Sequence, residues 1–344
     1  MKVAIITDQH FGARKNSKLF HDYFLNFYEN VFFPSLEKEG ISVVVDLGDT
    51  FDSRKGIDFS ALAWAKDHYY DRLTDMGIEV HTVVGNHTAY YKNTNDINAV
   101  DLLLREYSNI KIYSEPTEIK LGNLDVLLLP WINPENESNT YSLIKTTTCL
   151  CAMGHLELAG FRVNSQIIME HGLESKLFEK FSRVFSGHYH TRSNDGRVFY
   201  LGNPYEIYWS DWNDTRGFTI FDTETLDHHH IDNPYNMFEI INYDEDTTKL
   251  DSDYENNIVK VVIKNKKDQL KYEKFLDKLY SQNPAEVKIV ENFEINIKDF
   301  EEDIESEDTI SILDRYIQES ETNKDKTRIM SIMREVHKES CEMV

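Results

Sequence analysis

At 344 residues with 40% hydrophobic side chains, the chain is long enough for one large α/β domain, a sizeable core and one or two small appendages. A formal net charge of −23 argues against a free-standing, strongly basic nucleic-acid binder, although bound divalent metals and a basic partner can reverse the local field. Three cysteines, Cys149, Cys151 and Cys341, exclude a disulfide framework; Cys149 and Cys151 lie in an apolar run as small buried hydrophobes, so a reducing cytosol is expected.

Met1 to Thr7 is apolar but reaches Asp8 at once, too short for a signal peptide, and no run approaches a membrane span. Without secretion, the sequon Asn86-His87-Thr88 has no force as a glycosylation site. Lys2 to Thr7 reads as the first strand. Ser17 to Lys38 reads as a helix crowded with Phe20, Tyr23, Phe24, Phe27, Tyr28, Phe32 and Phe33, closed by Gly40. Its aromatics pack a core, or alternatively form a face for a second copy of the chain. Ile41 to Asp46 follows as a strand, about Phe59 to Met76 as a helix stopped by Gly77, and Ile78 to Val84 as a strand. A helix near Asp96 to Tyr107 precedes strands at Ile110 to Tyr113, Leu124 to Leu129 and Thr148 to Met153. A helical stretch at Glu174 to Phe181 leads into the strand Arg183 to Phe185. The alternation predicts an α/β layered fold with a largely buried sheet.

Beyond about Pro234 the composition changes. Asn257 to Lys264, Asp268 to Ser281 and Ala285 to Val290 read as a β-α-β unit, a small second domain. From Glu291 onward sixteen acidic and seven basic residues give a net −9 in 54 residues. After the acidic run Glu301 to Asp308, two short helices are predicted. One carries Ile310, Leu313, Tyr316 and Ile317, the other Ile329, Ile332, Met333 and Val336. The predicted divisions are 1–233, 234–298 and 299–344.

Five strand ends carry chemistry: Asp8-Gln9-His10, Gly48-Asp49, Gly85-Asn86-His87, Gly154-His155 and Gly187-His188-Tyr189-His190. Carboxyl ends of strands are where open α/β sheets place ligands. Residues at i and i+2 of an extended stretch point the same way, so Asp8 with His10, and His188 with His190, can converge. The glycines preceding the other ligands are expected to let the chain turn as it leaves the sheet. Two carboxylates, one carboxamide and four imidazoles, besides His87, suit Mn, Fe or Zn better than Ca or Mg. Seven ligands exceed what one ion takes while keeping an open position. Two ions roughly 3.5–4 Å apart, sharing a carboxylate, fit, and phosphoester hydrolysis is the reaction implied.

The order D-x-H, G-D, G-N-H, G-H, G-H-x-H resembles the signature of calcineurin-like metallophosphoesterases. Gly48-Asp49-Thr50-Phe51-Asp52 and Gly154-His155-Leu156-Glu157 resemble the SbcD-type (meiotic-recombination-eleven) repair nucleases among them. Val83 to His87, Tyr91-Lys92-Asn93, Gly154 to Phe161 and Arg216-Gly217-Phe218 are most similar to that family's T-even phage member. The specific resemblance covers the first 230 residues. It implies a layered metallophosphoesterase sandwich, with a small α+β domain capping DNA and a C-terminal helix pair. It further implies one metal on Asp8, His10, Asp49 and His190, and a second on Asp49, Asn86, His155 and His188, with Asp49 bridging. His87 would face the substrate as general acid, or orient the phosphate and leaving group. Two divalent ions, Mn2+ ahead of Mg2+, are the expected cofactors. DNA, a second copy of the chain and a coiled-coil SbcC-type ABC ATPase docked on the C-terminal helices are the expected partners, in the cytoplasm (of the host, if phage-encoded). The expected activity is a DNA exonuclease and endonuclease of break repair and recombination. A small-substrate phosphatase or phosphodiesterase of the same superfamily, and a catalytically weakened assembly subunit, are the alternatives.

One position departs from the family. An acid usually follows the substrate-facing His and raises its pKa by charge, whereas Thr88 stands here. A weaker acid role for His87 is expected, unless Asp52 or Asp96 reaches the ring. Arg14, Arg54 and Lys92, just past metal-binding strand ends, are candidates for DNA phosphate contacts or simply solvated loop charges. His228-His229-His230 looks like a metal tract but lies in a predicted strand, where an ordinary structural role is expected.

Overall fold

A computed structural model describes residues 1–164, 167–250 and 252–291. The predicted C-terminal helix pair, its acidic linker and Cys341 lie outside the described residues.

Among the described residues, fifteen strands form three sheets. The first contains β1 (Lys2–Ile6), β2 (Val43–Asp46), β3 (Glu79–Val83), β4 (Ile110–Tyr113), β11 (Gly217–Asp222) and β12 (His228–Asp232), in the order β12-β11-β1-β2-β3-β4. β1 to β4 are mutually parallel, and β11 and β12 close one edge antiparallel. The second sheet contains β5 (Thr117–Leu121), β6 (Leu124–Leu129), β7 (Cys151–His155), β8 (Arg183–Gly187), β9 (Ser193–Asn194) and β10 (Val198–Tyr200), in the order β5-β6-β7-β8-β10-β9. Val3 and Ile5 of β1, Val45 of β2 and Phe221 of β11 meet Val126, Leu128, Cys151, Met153 and Phe185 in one apolar layer. The two sheets therefore bury their inner faces against each other, the layered sandwich implied by the resemblance. Cys149 and Cys151 are both buried, and burial raises both thiols, as expected of inert core cysteines.

Helices cover the outer faces. Residues 18–39 form α1 and residues 59–75 form α2, each interrupted by one wide turn in which Phe33 N donates to Tyr28 O and Asp71 N to Lys66 O. The cause is legible in α1. Phe20, Phe24, Tyr28, Phe32 and Leu36 recur every fourth residue and are all buried. On a helix of 3.6 residues per turn each such step drifts about 40° around the axis. The wide turn takes up that drift and keeps the stripe on the sheet. The aromatics of α1 are core, with Tyr28 packed 5.1 Å from Tyr69 of α2.

α3 (Ala99–Leu104) is shorter than expected because Asn98 caps it, accepting from Asp101 N, while Asn95 Nδ2 donates to Ser114 O and Trp131 O. Glu174 to Phe181 reduces to a single 3-10 turn, Ser175–Phe178. α4 (Glu137–Thr146) was not apparent in the sequence, since within it only Thr140 and Ile144 are buried. The expected β-α-β unit is present as β14 (Ile258–Asn265), α5 (Gln269–Tyr280) and β15 (Glu286–Val290). It gains β13 (Phe238–Asp244), parallel to β14, and has its own core of Tyr243, Val259, Val261, Tyr272 and Leu279. Met237 and Phe238 join the α1 core, and their amides both donate to the buried Glu206 carboxylate.

Candidate metal centre

The parallel strands β1, β2 and β3 bring Asp8, Asp49 and Asn86 out at one edge of the first sheet. Parallel β7 and β8 bring His155 and His188 to the facing edge of the second. The backbone is specialised where the chain leaves the strands. Asp8, His10, Asp49 and His188 all have positive φ, at 52°, 46°, 50° and 86°. Each such non-glycine residue costs of order 1–3 kcal/mol and persists only when its surroundings over-determine it. Gly48 turns as expected, at φ 99°, whereas Gly85, of which the same was expected, and Gly187 serve differently. Neither has positive φ, but a Cβ on Gly85 would fall 2.2 Å from Asp49 Oδ1, and one on Gly187 would fall 1.9 Å from Thr7 Oγ1. They provide room for two elements to approach, and the ligand residues themselves take the left-handed backbone.

Asp8, His10 and His190 offer ligand atoms within 4.8 Å of one another, and so do Asp49, His155 and His188. Asn86 joins the second group, its Oδ1 lying 2.8 Å from His155 Nε2 and 3.0 Å from His188 Nδ1. Asp49 Oδ2 is 3.1 Å from His155 Nε2, and Asp49 Oδ1 accepts from His87 N at 2.8 Å. His188 N donates to both oxygens of Asp8, tying the groups together.

The ring nitrogens away from the centre are already used. His10 Nδ1 donates to Asp52 Oδ1 at 3.1 Å, and His155 Nδ1 donates to Leu47 O at 2.8 Å. A carbonyl can only accept, so His155 carries its proton on Nδ1 and turns Nε2 inward. Imidazoles that hold metals are fixed in this way by a carboxylate or carbonyl behind the ring. With this donor chemistry, the residues fit a pair of divalent ions.

Without metal, each group pairs one charged with one neutral imidazole. Burial disfavours charge on His10, but the Asp52 hydrogen bond and the charges of Asp52, Asp49 and Asp8 outweigh it and raise the group to about 9. Its neighbour His190, 3.1 Å away between Nε2 atoms, is lowered to about 4 by burial and by His10. His155 is raised to about 9, burial being outweighed by Asp49 and Asp8. His188 is driven well below the ordinary value by burial and His155. Asp49 is held well below the carboxylate range because His155, His87 and His10 outweigh its burial.

His87 lies at the rim, its ring centroid 4.9 Å from that of His10. Its Nδ1 donates to the backbone carbonyl of Asp52 at 2.7 Å, while the Asp52 carboxylate goes to His10. Thr88 does not touch the ring: its hydroxyl accepts from Gly85 N and donates to Gly85 O, closing the turn. Asp52 thus reaches His87, but only through its main chain. Arg14 Nε donates to Ile207 O, and the guanidinium covers the Tyr208 ring at 5.0 Å; that ring in turn stacks on His190. Arg54 is half-buried and Lys92 exposed. His228 packs on Phe199 and Phe185, and no metal-type grouping among the described residues includes His228, His229 or His230.

Sequence reasoning missed Asp52 as the clamp on His10, Trp131 against His188 at 5.2 Å, and the buried Arg216. Arg216 donates to His190 O and Asn203 Oδ1 and pairs with Asp214 and Asp211. Its only signal was the motif Arg216-Gly217-Phe218.

A calcineurin-like phosphoesterase family profile matches residues 1–292. Exonuclease subunit 1 of Enterobacteria phage T4 is 32% identical over 319 residues, 92% of each chain. Among solved structures, an archaeal phosphodiesterase is 12% identical with a TM-score of 0.36, covering 67% of this chain and 99% of its own. A dimetal phosphatase from Danio rerio is 14% identical with a TM-score of 0.38, covering 64% and 91%. Scores this low carry no argument. By the profile and the phage relative, joined to the strand-end motifs and fold, the chain belongs to the calcineurin-like phosphoesterase family.

Proposed function

We propose that this chain is a metal-dependent DNA nuclease, acting as exonuclease and endonuclease in a recombination and repair complex. The observation that carries the reading is the meeting of two candidate ligand groups across the sandwich edge, where Asp8 of the first accepts from His188 N of the second. The name of the phage relative supports DNA as substrate and a complex as setting.

Asp8, His10, Asp49 and His190 would hold one ion, and Asp49, Asn86, His155 and His188 the other, with Mn2+ ahead of Mg2+. Such a pair would supply Lewis-acid polarisation of a phosphodiester and a more acidic water. Asp52 and the Leu47 carbonyl keep the rings aligned. His87, with Nδ1 fixed on the Asp52 carbonyl, presents Nε2 to the leaving group or phosphate. The carbonyl fixes the ring without adding a charge behind it, so His87 serves chiefly to orient the phosphate and leaving group. Arg54 and Lys92 touch DNA phosphates; Arg14 has its Nε on Ile207 O and serves the Tyr208 loop first.

Residues 1–233 form the nuclease domain, 234–298 the DNA cap, and 299–344 the acidic C-terminal segment that docks an SbcC-type ATPase. Truncation after Glu302 abolishes co-purification with that ATPase; persistent association refutes the docking. Two copies pair through α2 and α3. Phe59 and Leu102 are 87% and 60% exposed, and the ion pair of Lys66, two turns past Phe59, with Glu106, just after α3, ties the two helices together. A dimeric Phe59→Asp variant in sedimentation would sink this face. The chain works in the cytoplasm, of the host cell where phage-encoded.

The deciding assay is hydrolysis of labelled linear duplex with Mn2+ or Mg2+, with and without the ATPase, against Asp49→Ala. Metal-dependent cleavage lost in Asp49→Ala is expected. Hydrolysis of a generic phosphatase substrate without any DNA cleavage would favour a small-substrate phosphatase instead.

A further inference from the structure

Beside the second ligand group lies a cavity of about 220 Å3 that shares His155 with it. Trp131, Tyr141 and Leu173 give it flat and apolar walls, and Glu137 and Glu157 supply carboxylates. Its walls are built in advance. Trp131 N donates to Val84 O, and Trp131 O accepts from Asn95 Nδ2 at 2.8 Å and Asn136 Nδ2 at 3.1 Å. Asn133 and Asn136 bond reciprocally through side chain and backbone, fixing the start of α4, which carries Glu137 and Tyr141. Across the cavity, Leu173 N donates to Glu157 O at 2.9 Å, and a Cβ on Gly172 would fall 2.6 Å from that same oxygen.

The chemistry narrows the occupant. Two carboxylates repel a phosphate, so the slot does not take nucleic-acid backbone. Glu137 already accepts from Tyr141 Oη at 2.8 Å, and Glu157 lines the same cavity with a second carboxylate acceptor. A flat, neutral ring bearing N–H groups fits aromatic walls and a carboxylate acceptor. Because His155 belongs to both the cavity and the ligand set, a phosphate on the metals and its own base in the slot belong to one nucleotide.

We infer that this cavity is a nucleobase slot, which takes an unpaired base next to the scissile phosphate. The inference rests on the nuclease reading above. It means that the chain acts on a base already out of the duplex, at a frayed end or in a single strand, and pays no attention to pairing beyond it. Amino-bearing bases, with donors for Glu157, hold more tightly than thymine.

The test is equilibrium binding of a fluorescent single-stranded hexanucleotide to the full chain, with one abasic site walked along it. In wild type one abasic position weakens binding about tenfold, and the others have little effect. In Tyr141→Ala that penalty disappears, while Tyr141→Phe keeps it. A uniform effect of all abasic positions, or the same penalty in Tyr141→Ala, overturns the slot. Bis(p-nitrophenyl) phosphate hydrolysis in the same samples separates the two claims. An unchanged Mn2+ stoichiometry and far-UV circular dichroism show Tyr141→Ala folded with the metal centre intact, and metal-dependent turnover of the phosphodiester in wild type supports the hydrolase reading. Its absence in wild type would instead count against the hydrolase reading.

Discussion

The two ligand groups look alike in composition but are held in different ways. In the group of Asp8, His10 and His190, the ring of His10 is clamped by a side chain, the part-exposed Asp52 carboxylate. In the group of Asp49, Asn86, His155 and His188, the ring of His155 is clamped by the main chain at Leu47 O and is fully buried beside Trp131. One half of the centre therefore depends on a removable charge and the other on the sheet itself. The difference teaches that mutation and pH act unequally on two sites of the same pedigree.

The most severe break is expected at Asp49, the residue proposed to join the two groups. Asp49→Ala removes a ligand, the partner of His155 and the acceptor of His87 N together. Steady-state hydrolysis of duplex DNA falls by about 10³-fold, on the several kcal/mol that metal polarisation supplies. Retention of more than a tenth of the activity would contradict the link between the groups.

Asp52→Asn sharpens the comparison. It keeps a hydrogen-bonding side chain behind His10 but removes the charge, so one of two binding steps weakens about 10–100-fold by calorimetry while the other stays. Equal weakening of both steps would show that the two halves are not separately supported.

The pH dependence follows from the raised values. His10 and His155 titrate near 9 without metal, and both must be neutral to bind it. Metal binding at pH 7 therefore releases protons, and apparent affinity climbs with pH up to about 9 before levelling. For the metal-free fold the sign is opposite. These imidazoles contribute stability fully present below their ordinary 6.5 and lost as pH rises through about 9. In Asp52→Asn the His10 step moves to lower pH and the His155 step stays. A common shift of both would remove the distinction.

The smallest effect expected is at Thr88. Its hydroxyl closes the Gly85 turn and leaves the His87 ring alone, so Thr88→Val costs about 1–2 kcal/mol in thermal or denaturant unfolding. The acid limb of the pH–rate profile stays where it was. A moved limb would show that the threonine governs His87 after all.

All the candidate ligand positions were legible because side-chain chemistry recurred at strand ends in an ordered series. Asp8, Asp49, Asn86, His155 and His188 need only that pattern to be found. What holds them was less legible. Leu47 acts through a carbonyl, which has no residue signature, and Asp52 was read only as a candidate neighbour of His87. Gly48 turns as expected, but Gly85 was misread in a similar way. Gly85 and Gly187 announce a special backbone, but whether the need is rotation or room depends on which side chain arrives from another strand. In the fold, β1 to β4 and the β14-α5-β15 unit were read from strong apolar runs. Short β9 and β10, and polar α4, have too few buried residues to mark a period.

The central claim is that both groups hold metal at once and meet at Asp49. Counting Mn2+ bound per full-length chain after equilibrium dialysis at pH 8 tests it most directly. The account predicts two ions in wild type, a weakened first group but an intact second in Asp52→Asn, and neither held tightly in Asp49→Ala. A single ion in wild type, or two retained in Asp49→Ala, would contradict it.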